Sequence, residues 1–384
     1  MSIKFSVLLP TKNRLELLKS AIWSVREQNY DNWEIIVADN CSQEDIKGYL
    51  DSLNDERIIY TRSDVPLSVT DNWNKSLVPA TGDYIVMIGD DDALLPNYFT
   101  RCLEVIEQFE NPDFLIYAGF IWGHANVLDK VPSGFLYDTK KNTHFLNNIN
   151  KPEIFSLRHR EYLAKLSLLV KSAYSFNMQY TLYNKNFINL LKEYGEFFQP
   201  PFPDFYTTNL AMLKASKAVI VPEILAVTGI TNKSYGYFYY NKKEKEGMDK
   251  LHKEADFRDF ALPSIKKYLC EISEQDDAEL TTMAVLQSKF PQRDDLKLGI
   301  DNYLKNQIRL VFKEFNIFKA IQLYFSVIYP KLNEKLKKQS LKIIFGALIE
   351  KIKNEDPFKG LRVPPYNTVE EFYRAVERGE ISRV

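Results

Sequence analysis

The first 120 residues alternate short apolar runs with stretches where apolar residues recur at helical spacing. Residues 5–9 read as a strand, and 15–28 as a helix with Leu15, Leu18, Ile22 and Val25 on one face. Residues 34–38 predict a second strand, followed by a polar turn and a helix near 45–53. A third strand (57–61), a helix (69–77) and a fourth strand (84–88) continue the alternation. Pro96 suits the start of the next helix, which runs to about residue 109 before a fifth strand at 113–117. This order predicts an α/β fold, a mostly parallel sheet flanked by helices.

From about 120 to 232 the pattern is less regular. Residues 176–183 read as a strand, 185–194 as a helix, 204–213 as a helix after a Pro-rich loop, and 217–227 as a further strand. Beyond Ser234 the composition shifts: Tyr235-Gly236-Tyr237-Phe238-Tyr239-Tyr240 leads into a charged run, and helical patterns follow. The expected division is therefore residues 1–233 as one unit and 234–384 as a helical C-terminal extension. Residues 297–353 hold twelve Lys/Arg against four Asp/Glu, interleaved with Leu, Ile and Phe. This basic amphipathic pattern fits helices lying on an anionic membrane surface; helices packed on the rest of the protein are the alternative. Thr368 and Glu371 form a capping box, so 368–378 predicts a last helix ending before Gly379.

An apolar content of 45% with 14% aromatics across 384 residues supports a sizeable core. A net charge of −1 argues against general affinity for nucleic acid. Cys41, Cys102 and Cys270 are far apart and lack metal-ligand spacing, which suggests a reducing compartment without a disulfide framework. No apolar run reaches the length of a membrane span, and no signal core precedes the first strand. The expectation is a cytoplasmic protein with peripheral contact to the inner face of the cell membrane.

In parallel α/β sheets, ligands bind outside the carboxyl ends of the strands. Three such ends carry polar residues: Thr11-Lys12-Asn13-Arg14, Asp39-Asn40-Cys41-Ser42 and the triplet Asp90-Asp91-Asp92. They should converge on one crevice. Two carboxylates 4 Å apart repel by about 4 kcal/mol at an effective dielectric near 20. A divalent cation, Mn²⁺ or Mg²⁺, would neutralise the triplet and share its oxygen ligands with a substrate's phosphates. A solvated acidic turn that caps the next helix is the alternative.

The segments 6–14, 34–42, Asn72-Trp73-Asn74, 80–84 and 89–96 together resemble the family 2 glycosyltransferases, an inverting group with the GT-A fold, of the bacterial surface polysaccharide type. The likeness extends over roughly residues 1–235. Two positions depart from it: Ala38 and Gly89 stand where many members carry Asp. The resemblance implies transfer of a sugar from a UDP- or dTDP-sugar to a glycan or lipid-linked acceptor. Pro10, Thr11, Arg14, Asp39, Asn72 and Asp90 would line the nucleotide site, Asp39 accepting from the base N3–H, which cytosine lacks. Asp91 would hold the metal, with Asp92 beside it as a ligand or as a group behind the ligand. Asp204, after the Pro-rich loop, matches the position of the general base, although Asp there also suits a helix N-cap. Gln179, Tyr180 and Arg158 are candidates for contact with the acceptor. The reading from a different class is a non-catalytic nucleotide-sugar-binding or scaffolding protein of a polysaccharide assembly system.

Overall fold

The computed structural model describes residues 2–128, 131–143, 146, 149–171, 177–252, 256–353, 366 and 368–381. Its centre is a 10-stranded sheet. In chain order the strands are β1 (Phe5–Thr11), β2 (Trp33–Asp39), β3 (Ile58–Arg62), β4 (Tyr84–Met87), β5 (Ala93–Leu94), β6 (Phe114–Gly123), β7 (Phe135–Asp138), β8 (Glu153–Ile154), β9 (Thr181–Asn184) and β10 (Ala218–Ile230). They lie in the order β3-β2-β1-β4-β9-β6-β10-β5, with β7 beside β6 and β8 beside β10. β3, β2, β1 and β4 pair in parallel, as do β6 and β10. β9 is inserted antiparallel between β4 and β6, so those two strands point the same way. The fold is α/β, with a mostly parallel sheet, flanking helices and a helical C-terminal part.

Period-two alternation sends neighbouring residues of one strand into separate cores. Val7 and Leu9 pack with Leu18, Ile22 and Val25 of α1 (Leu15–Arg26), together with Phe99 and Val105 from the helix Tyr98–Gln108. Leu8, Ile36 and Met87 face the other way, into a core shared with the helices Leu157–Leu168 and Pro203–Lys214. Because both faces are covered, β1, β2 and β4 are apolar almost throughout.

Three expectations change. The strand expected at 176–183 begins only at Thr181, after a 3₁₀ turn at Met178–Tyr180, and residue 176 lies outside the described residues. β6 runs on to Gly123, past the expected end at 117. Gly119 lies within the longer strand because of packing: a Cβ there would lie 2.0 Å from the Tyr180 ring. β10 likewise continues to Ile230 through Gly229.

After Ser234 the chain feeds more than one core. Ala278, Met283 and Leu286 of the helix Glu274–Ser288 join the sheet core. The helices Ile300–Glu314, Ile317–Leu323 and Glu334–Lys353 build a separate one around Tyr303, Ile308, Val311, Leu336 and Ala347. The final helix, Val369–Glu377, returns to the sheet. Phe372 packs edge-on to Phe120 at 5.4 Å, and Tyr373 edge-on to Trp23 of α1 at 5.0 Å. Thr368 caps this helix by accepting from the Glu371 N–H at 3.1 Å.

Candidate active site

The polar loops meet where the parallel strands end. Asn40 N–H donates to the Thr11 carbonyl at 2.9 Å. Asn13 is tied to the second loop from both sides, its N–H donating to Ser42 Oγ at 2.9 Å and its Oδ1 accepting from Gln43 N–H at 2.7 Å. Thr11 Oγ1 donates to Asp90 Oδ2 at 2.8 Å, and Arg14 Nη1 to Asp90 Oδ1 at 2.9 Å. Arg14 also donates to the Lys233 carbonyl, while Lys233 Nζ donates to the Asn13 carbonyl at 2.8 Å. The loop after β10 thereby closes over the loop after β1.

The three aspartates occupy different environments. Asp90 is buried, its oxygens held by Thr11 and Arg14. Burial pushes its carboxyl up to about 6 against the pull of Arg14. Asp92 is buried and spends both oxygens on the protein. Oδ2 accepts from Gly89 N–H at 2.5 Å and Gln179 Nε2 at 2.7 Å, and Oδ1 from Gly229 N–H at 2.9 Å. Burial, reinforced by Asp91, raises its carboxyl well above the ordinary range. Asp91 differs. Its Oδ2 accepts from Ser234 Oγ, with Thr231 Oγ1 and Arg14 Nη1 each at 3.5 Å. Among the described residues, Asp91 Oδ1 has no donor. Asp91 and Asp92 line a cleft together with Leu17, Ser20, His124 and the start of the final helix.

A cation held by one carboxylate and a substrate's phosphates is ordinary Mg²⁺ chemistry. The open oxygen of Asp91 fits that role, whereas the geometry of Asp92 fits orienting the loop. No group of three or more His, Cys, Asp or Glu side chains forms a ready-made cage among the described residues.

Asp39 is buried at the end of β2. Its Oδ1 accepts from Ser42 N–H at 2.8 Å; its Oδ2 accepts from Tyr60 OH at 2.8 Å and Arg62 Nη1 at 2.7 Å. Asn72, in the helix Val69–Leu77, donates to the Ala38 carbonyl at 3.2 Å, and its buried Oδ1 has no partner among the described residues. Pro10 lies in β1 directly before Thr11 and pairs in register with Ala38.

Asp204 sits in the first turn of the helix Pro203–Lys214, where its Oδ1 accepts from Phe205 N–H at 2.8 Å. It touches none of the triplet directly. Phe202, two residues earlier, packs edge-on to Tyr235 at 5.8 Å, and Tyr235 follows the Ser234 that bonds Asp91. Asp204 is hemmed in by protein yet still reached by solvent, and desolvation pushes its carboxyl up to about 6. Residues 6–166 match the family model described as "Glycosyl transferase family 2". The chain carries a family 2 glycosyltransferase domain.

Two similar proteins are named for bacterial colanic acid and undecaprenol-linked saccharide chemistry. This glycosyltransferase is 28% identical over 254 residues to the putative colanic acid biosynthesis glycosyl transferase WcaA of Escherichia coli K12, covering 65% of this chain and 84% of that protein. It is 38% identical over 104 residues to a GalNAc(5)-diNAcBac-PP-undecaprenol beta-1,3-glucosyltransferase of Campylobacter jejuni, covering 26% of this chain and 34% of that protein. Staphylococcus aureus TarS 1–349, solved with UDP-GlcNAc, aligns at a TM-score of 0.49 and 16% identity over 97% of this chain and 92% of that one.

The remaining acceptor candidates separate. Gln179 bonds Asp92. Tyr180 is buried, its hydroxyl 2.6 Å from Thr228 Oγ1. Arg158 is exposed on the helix Leu157–Leu168, while its neighbour Arg160 is buried and donates to the Phe155 and Met212 carbonyls. Thr231, Ser234 and His124 were not singled out by sequence. His124 follows β6 and stacks on Trp122 at 5.4 Å, and its buried Nε2 has no partner among the described residues. Burial lowers its pKa against the pull of Asp91. One local signal was available for the loop after β10: glycine inside a strand marks close backbone approach. A Cβ on Gly229 would lie 1.8 Å from the Asp91 carbonyl oxygen.

Proposed function

We propose that the chain is an inverting, metal-dependent glycosyltransferase. It moves a sugar from a UDP- or dTDP-sugar to a hydroxyl of a glycan or lipid-linked saccharide during polysaccharide assembly, at the periphery of a membrane. The observation that carries this reading is Asp91 Oδ1, which takes no hydrogen bond from the described residues, in a triplet whose other carboxylates are held by the protein. The names of the relatives support the polymer class.

In this reading Asp39 accepts from the base N3–H, Asp90 faces the ribose, and Pro10, Thr11, Arg14 and Asn72 wall the nucleotide. Asp91 holds Mn²⁺ or Mg²⁺, with Asp92 orienting the loop behind it. The cation, when bound, neutralises charge on the diphosphate. Asp204 takes the proton of the acceptor hydroxyl as its oxygen attacks the sugar C1. The C1–O bond to the diphosphate breaks, its electron pair leaves with the nucleotide, and inversion follows from attack on the opposite face.

A thermal-shift panel of UDP, dTDP and GDP with their sugars, with and without Mn²⁺, tests the donor site. A shift with UDP or dTDP that requires metal is expected; no response to any nucleotide sinks the reading. Asp204→Asn separates enzyme from scaffold: the enzyme loses transfer and keeps its nucleotide response. A scaffold shows no transfer in either form.

A further inference from the structure

Among the described residues, nine exposed large apolar side chains lie far along the chain from the triplet, on the helices after residue 316. Phe318, Ile321, Phe325 and Tyr329 are 84%, 44%, 60% and 38% exposed. They recur at helical spacing along Ile317–Leu323 and the π-helical and 3₁₀ turns that continue it to Lys331. Leu341, Phe345, Ile349 and Ile352 are 77%, 67%, 39% and 82% exposed on one side of Glu334–Lys353. The opposite sides bury Ala320, Tyr324, Ile328, Leu336 and Ala347 in the third core. Each stretch is therefore apolar on both sides, one facing protein and one facing solvent. Such rows are too large and too regular to be scattered surface residues.

Charge indicates what covers them. Residues 317–353 contain eight lysines and two glutamates, within a chain whose net charge is −1. Lys335, Lys338 and Lys342 are exposed beside Leu341 and Phe345. Lys337 lies over the Tyr329 ring at 5.3 Å, joining the two stretches. Lysine stems can lie along an apolar surface while their ammonium groups reach polar headgroups. A second copy of this face would set lysines against lysines, so charge disfavours self-pairing. No described helix is long and apolar enough to cross a membrane. We propose that these two stretches lie in the interface of an anionic lipid bilayer, with Phe318, Phe325, Leu341 and Phe345 inserted among the acyl chains and the lysines at the phosphates. The proposal specifies the membrane-peripheral part of the reading above and is independent of the reaction.

Co-sedimentation of the full chain with phosphatidylcholine–phosphatidylglycerol vesicles tests it against phosphatidylcholine alone. The chain should pellet with the mixed vesicles, release as salt rises, and stay in solution with the neutral ones. Phe318→Ser with Phe345→Ser should weaken partition about tenfold, and Lys338→Glu with Lys342→Glu by a similar factor. Both double variants should keep the wild-type melting temperature and its shift with UDP and Mn²⁺, which separates failure of this surface from failure of the donor site. If the double serine variant does not fold, the lysine variant carries the test alone. Wild-type protein that ignores mixed vesicles overturns the proposal. So does wild-type protein that elutes as a dimer while the serine variant elutes as a monomer.

Discussion

Asp204 joins two demands that oppose each other. As the proposed base it must be ionised, yet its surroundings favour the neutral acid. A carboxyl at about 6 when folded, against about 3.9 when unfolded, binds its proton more tightly in the native state. Stability from this group is therefore greatest at low pH and declines as pH rises from about 4 to 6. Asp204→Asn should thus raise the melting temperature at pH 8, an advantage that shrinks below about pH 5. Transfer should fall by about 10²–10⁴-fold in the same variant. Wild-type turnover should decline as pH drops through about 6, read from the pH profile of nucleotide release. The aspartates were legible because a carboxylate cluster after an apolar run is unusual chemistry at a strand end. His124, Thr231 and Ser234 were not, because each gains its place at Asp91 from a strand distant in the chain.

At the scale of elements, regular alternation made β1 to β4 and their helices readable nearly to the residue, whereas the far ends of β6 and β10 were not. Gly119 and Gly229 lie inside those strands, and each marks a site where another group needs the space of a side chain. The antiparallel β9 was blurred for a related reason: Met178 and Tyr180 are core residues that precede the strand in a tight turn. Gly229→Ala should push the Asp91 backbone away, lowering the melting temperature and abolishing the metal-dependent shift with UDP. Gly346 is the control. It lies within Glu334–Lys353 and a Cβ there meets nothing within 4 Å. Gly346→Ala should stabilise by about 0.5–1 kcal/mol in denaturant unfolding, with the UDP response unchanged.

Across the whole molecule, the last helix ties the C-terminal part to the cleft at Asp91. Its capping box was plain in the sequence; its docking was not, since contact between Tyr373 and Trp23 spans almost the entire chain. Thr368, Val369 and Glu370 line the cleft with Asp91, and Ser20 Oγ donates to Glu370 Oε1 at 2.8 Å. Phe372 is fully buried, so Phe372→Ala should cost about 3–5 kcal/mol in denaturant unfolding. The helix thus helps to shape the cleft in which a cation on Asp91 would meet the donor diphosphate. Calorimetric titration of UDP into wild type and Asp91→Asn, each with Mn²⁺ and with a chelator, tests that claim most directly. Wild type should bind only with Mn²⁺, and Asp91→Asn should lose about tenfold or more of that affinity. Equal binding in chelator, or an Asp91→Asn variant as tight as wild type, would contradict it.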